Sequence, residues 1–135
     1  MLRIIIGVFM AVHGLVHLLY LGQSQRWFEL QPGMTWPDGT WALTGLAGEA
    51  GARWLASLAC VLAAAGFVVG GIAILAGQPW WRPVVVAAAA FSIGIWLLFW
   101  DGSPQHLADK GAIAILINLA ILLVVLILRW PNFGF

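Results

Sequence analysis

Trp54–Ala76 reads WLASLACVLAAAGFVVGGIAILA, 23 consecutive residues without one charged side chain. A helix rises about 1.5 Å per residue, so this run reaches about 34 Å, enough to cross a hydrocarbon core of roughly 30 Å. Three further runs, Ile4–Leu21, Val84–Trp100 and Ala112–Leu128, are 18, 17 and 17 residues long. The shorter ones need flanking Trp, Tyr and Arg to complete a crossing, and Tyr20, Trp80, Trp81, Trp100, Arg129 and Trp130 stand at their ends. Gly77-Gln78-Pro79 and Asp101-Gly102-Ser103-Pro104 break the later runs with short links, which makes neighbouring spans antiparallel.

The sequence therefore predicts an all-α integral membrane protein: one domain over residues 1–135, an antiparallel four-helix bundle with spans at 4–21, 54–76, 84–100 and 112–128. The first run lacks an A-x-A-like site and is read as a retained helix. Residues 22–53 form the one long connection. It carries Trp27, Phe28, Met34, Trp36 and Trp41, too apolar for a free linker, and is expected to fold back as an interfacial loop with a short helix near Thr40.

Composition agrees: 135 residues are 63% hydrophobic and 8% charged, against roughly 45–50% and about 25% in soluble domains. Net charge is +1 with no basic cluster, which excludes a nucleic-acid partner. A single cysteine, Cys60, excludes an internal disulfide and a multi-thiolate metal site. Arg3, Arg82 and Arg129 fall on one side, and Arg26, Arg53 and Lys110 on the other with all five acids. The favoured orientation puts both termini in the cytoplasm of a prokaryotic plasma membrane.

Polar side chains inside the spans cost a few kcal/mol each and need a reason. His13 and His17 lie one helical turn apart, with Tyr20 three residues further on that face. Counted from the loop-side ends, His13, His17, Ser57, Cys60, Ser92 and Asn118 occupy one layer, while the opposite half of every span is purely apolar. A polar path across the whole membrane is thus disfavoured, and a half-depth site opening towards the loop is favoured.

The candidate ligand-binding residues are His13, His17, Tyr20, Asn118, Ser92 and Ser57. No catalytic residue is assigned. HGLVH has the i, i+4 spacing of a metal site, but Gly14 stands where a zincin needs its glutamate. A metal on His13 and His17 would draw further ligands from His106 and Asp101. Haem on one histidine is the other possible cofactor. The plainer alternative has neutral imidazoles bonding across the bundle to Asn118, Ser92 or Ser57. Asp101, Asp109 and Lys110 read as interfacial turn residues. Gly66-x-x-x-Gly70 and Ala90-x-x-x-Gly94 are small-residue faces suited to close helix packing, within the chain or in a homo-oligomer.

HGLVHLLY resembles the first helix of a scattered group of small prokaryotic membrane proteins with an HGLxHLL-like stretch. WDGSPQHLADKGA, Trp100–Ala112, looks like a longer form of their aromatic-Asp turn. The four-span plan is also similar to DoxX-like proteins in architecture. Together these readings favour a non-enzymatic protein that binds a small ligand or cofactor, or an accessory subunit of a larger membrane complex. The alternatives are a redox subunit with haem or copper on His13 or His17, and a transporter component formed by oligomerisation.

Overall fold

The apolar runs become helices wherever nothing interrupts their backbone hydrogen bonding, and the interruptions set their ends. In the computed structural model, which describes residues 1–135, α1 spans Leu2–Ser24, α2 Thr44–Leu75, α3 Trp81–Leu98 and α4 Ala108–Ile127. There are no strands, and all four helices are long and apolar enough to cross a membrane. Gly77, with φ +69°, ends the turn after α2, and Pro83 is accommodated in the first turn of α3, where its missing N–H costs nothing. The α-helical part of α4 is Ile113–Leu122; it widens to a π-type turn at Leu123–Ile127 and is preceded by a π-type turn at Ala108–Ala112 whose backbone breaks at Gly111, φ 123°.

α2 begins ten residues before the apolar run that announces it. Thr40 and Thr44 bond reciprocally: Thr44 Oγ1 accepts from Thr40 N at 2.9 Å, and Thr40 Oγ1 accepts from Thr44 N at 2.9 Å. The helix then passes a break at Gly48, φ 70° and ψ 172°, before continuing. The short helix expected near Thr40 is thus present as the turn starting at Thr44, which the break at Gly48 separates from the span.

α1 packs on α2, α2 on α3 and α3 on α4. Glycine allows the first contact: a Cβ on Gly71 would stand 2.6 Å from Gly7 O, and one on Gly14 2.9 Å from Ala64 O. On the other side of α2, Gly66 faces Ala88 and Gly70 faces Val85, whereas nothing lies within 4 Å of a Cβ on Gly94. Gly66-x-x-x-Gly70 is therefore a packing face inside the chain, while Gly94 meets no neighbour in it.

Two apolar clusters result. Phe67, Ile74, Trp81, Val85 and Val125 belong to the one near the chain ends, and Met34, Trp36, Cys60, Trp96 and Phe99 to the one beneath the long connection. Most large residues on the outer faces of the helices, such as Ile4, Val12, Leu19, Leu62 and Leu116, are exposed. So much contiguous apolar surface would not persist in water.

Residues 25–43 close one end. Met34 and Trp36 are each 1% exposed. Gln23, at the end of α1, fixes their segment by donating to Met34 O at 3.1 Å and accepting from Leu30 N at 2.8 Å. Trp41 fastens it to α3 through Nε1 to Leu97 O, 2.7 Å, and N to Trp100 O, 3.0 Å. Trp36, Trp81 and Trp96 are buried, so three of the nine tryptophans fill the interior. Trp81, read from sequence as a boundary anchor, is one of them, lying beneath the Arg82 guanidinium at 4.8 Å.

Candidate functional site

A helix turn separates His13 from His17, so both rings leave the same face of α1, beside the faces of α3 and α4 that carry Ser92 and Asn118. His13 Nε2 lies 2.9 Å from Asn118 Oδ1. His17 Nε2 lies 2.8 Å from Ser92 Oγ, and Asn118 Nδ2 donates to the same Oγ at 2.8 Å. Trp96 Nε1 also donates to it, at 3.2 Å. Three helices are thereby tied at one hydroxyl. The rings stack in aromatic surroundings, His17 against Phe67 at 5.7 Å and His13 against Phe9 at 5.9 Å.

The partners fix the protons. His17 Nδ1 lies 3.2 Å from the carbonyls of His13 and Gly14, which can only accept, so Nδ1 carries the hydrogen. A neutral His17 then accepts at Nε2, and the donor is the Ser92 hydroxyl. Both Ser92 lone pairs remain for the N–H groups of Asn118 and Trp96. Asn118 Oδ1 is left to accept from His13 Nε2–H, so the lone pair of His13 is on Nδ1. No partner in the chain reaches it.

Beyond this pair a cleft opens between α1 and α4. Ile6, Phe9 and Met10 line one wall and Ile117, Ile121 and Val124 the other, enclosing about 380 Å³. Phe9 and Met10 stand one turn from His13, and Ile117 and Ile121 flank Asn118; the cleft starts next to that pair without including it and reaches Trp130 and Pro131 at the other end.

The remaining predicted residues go elsewhere. Ser57 lies 2.7 Å from Ser24 Oγ and accepts from Gln25 Nε2 at 2.6 Å, forming a separate polar group between α1 and α2. Tyr20 donates to Asp109 O, with its ring edge-on to Trp96 at 4.5 Å. Cys60 is buried among apolar neighbours.

The four proposed metal ligands do not converge. Asp101 takes the Lys110 ammonium at 2.5 Å and Ser103 N at 2.9 Å, while His17 spends both nitrogens on protein partners. No group of three or more His, Cys, Asp or Glu side chains is placed to hold a metal. Lys110 is 5% exposed, so the Asp101–Lys110 pair is interior and not a solvated turn.

Sequence reasoning missed two participants. Trp96 was spaced four residues from Ser92 on one helix face, a signal hidden by reading tryptophans as boundary anchors. Gln23 lay just beyond the apolar run and carried no signal of its own. Comparison with family profiles, with curated proteins and with solved structures gives no match.

Proposed function

We propose that this chain is an integral membrane protein, an antiparallel four-helix bundle with its long connection as an interfacial cap, that binds a small ligand through a polar, His-containing site in the half of the membrane nearer that cap. The observation that carries the reading is the unspent lone pair of His13. Every other polar atom of the Ser92-centred network has a partner, and an acceptor left open at this depth calls for a donor from outside. The α1–α4 cleft begins below this layer and runs towards Trp130 and Pro131, so a fitting ligand has one hydroxyl or N–H group at His13 and an apolar body extending into the opposite half. The chain either binds this molecule alone or holds it as an accessory subunit of a larger complex, and no reaction is assigned.

The test is to purify the protein from its membrane in mild detergent, extract it with organic solvent and analyse the extract by mass spectrometry. Absorbance and elemental analysis of the same sample complete it. An organic compound near stoichiometric amount, lost from His13→Phe but retained by Ser57→Ala, is expected. If His13→Phe alters thermal stability while the extract stays the same, the network is purely structural and the reading fails. A Soret band or stoichiometric copper, iron or zinc would replace it with the redox subunit.

A further inference from the structure

The end of the molecule opposite the long connection carries Arg3, Arg82 and Arg129 and no acidic side chain. Arg82, in the first turn of α3, donates to Val125 O at 3.3 Å, Arg129 O at 3.0 Å and Pro131 O at 2.7 Å. These acceptors are neutral, so they orient the guanidinium without cancelling its charge. Of its five N–H groups, two remain free. Arg129 is exposed, and its guanidinium has neither a hydrogen bond nor an ion pair; Asn132 uses only its oxygen, accepting from Gly134 N at 3.2 Å.

These three side chains rim a cleft of about 670 Å³ whose floor includes Val86, Val125 and Leu126. The rim is rich in donors and has no carboxylate. Arg82 stands at the start of α3, and Arg129 follows the end of α4 by two residues, so both lie where apolar helix gives way to the headgroup layer. Leu126 is shared with a second groove, of about 450 Å³, that runs along α4 past Leu122 and Leu119 with an entirely apolar lining. Cationic donors followed by hydrocarbon is the order of groups along an acidic lipid, reversed in charge.

We infer that this end of the bundle binds an anionic phospholipid, its phosphate at Arg82 and Arg129 and one acyl chain in the α4 groove. A free phosphate would use the rim and leave the groove unused. The inference rests on the chain spanning a membrane and is independent of any ligand at His13, because the two sites lie on different residues and respond to different variants.

Native mass spectrometry from micelles containing equal phosphatidylglycerol and phosphatidylcholine tests it. The wild type should retain phosphatidylglycerol preferentially. Arg129→Gln should weaken that retention about fivefold, the effect of one cation near an anionic surface, while Arg129→Lys keeps most of it. Leu126→Trp, which narrows the groove and leaves every cation in place, should weaken it as well. Arg26→Gln, at the far end, should change nothing. Equal retention of both lipids, an unaltered Arg129→Gln, or displacement of the lipid by millimolar inorganic phosphate would overturn the inference. Any loss confined to His13→Phe would concern the other site.

Discussion

Ser92 Oγ stands 2.8 Å from His17 Nε2, and that one hydroxyl also receives Asn118 Nδ2 and Trp96 Nε1. It joins α1, α3 and α4 although Ser92 is completely buried and far from the cap in sequence. Ser92→Ala leaves an acceptor and two donors without partners where no water replaces them. Interhelical hydrogen bonds in membranes average about 0.6 kcal/mol each, so the combined loss should be about 2 kcal/mol in reversible unfolding from mixed micelles. Ser57→Ala, whose group lies near the cap and leaves Ser24 Oγ donating to Leu21 O, should lose less than half of that. Equal losses would mean that Ser92 is not a hub.

The proton assignment is open to direct observation. The carbonyls facing His17 Nδ1 require the hydrogen there, and the chain of bonds through Ser92 and Asn118 requires it on Nε2 of His13. Nitrogen-15 spectra of the labelled protein near neutral pH should show two neutral rings in opposite tautomers. Ser92→Ala should free the His17 Nε2 signal while leaving Nδ1 protonated. Two rings in the same tautomer would break the chain of inference that leaves His13 an unused lone pair.

The buried Asp101–Lys110 pair should behave as a unit. Lys110 is 5% exposed and Asp101 17%. Removing one charge from a buried pair strands the other at a cost of roughly 3–5 kcal/mol. The partial exposure of Asp101 puts Lys110→Met nearer the lower end, at about 3 kcal/mol. The double variant Asp101→Asn with Lys110→Met should recover at least half of the loss, measured by the same unfolding assay. Additive losses would show that each side chain acts through other contacts.

Hydropathy along the chain made the helices legible because lipid-facing and core-facing positions are both apolar, so the runs stand out without periodicity. Depth was legible too, by counting from the ends of the runs, and it put His13, His17, Ser92 and Asn118 in a common layer. Azimuth was not legible. Ser57 shares that layer but turns towards Ser24 and Gln25, away from the histidines, because the Gly7, Gly14 and Gly71 contacts set how α2 rolls against α1. The start of α2 was hidden for another reason: Gly45, Gly48, Glu49, Gly51 and Arg53 interrupt the apolar run, and of these only Gly48 breaks the helical backbone. Lys110 was misjudged because a charge near a turn is usually solvated, whereas here Gly111 lets its segment lie directly against Trp96.

Glycine substitutions should separate close helix packing from mere helix propensity. At Gly71 an added Cβ would meet backbone on both sides, Gly7 O at 2.6 Å and Ala11 N at 2.9 Å, and neither atom can turn aside. Gly71→Ala must therefore push α1 away from α2, and overpacking of this kind typically costs about 1–3 kcal/mol. The displacement also moves the ring of His13 relative to Asn118, so the tautomer signals of the histidines should shift with stability. Gly94→Ala places its methyl in space with nothing within 4 Å. There the gain in helix propensity, up to about 1 kcal/mol, should leave the protein equally or more stable. Unfolding of the two single variants in mixed micelles gives opposite signs if α1 and α2 meet through Gly71, and a stable Gly71→Ala would require a different packing of the first two helices.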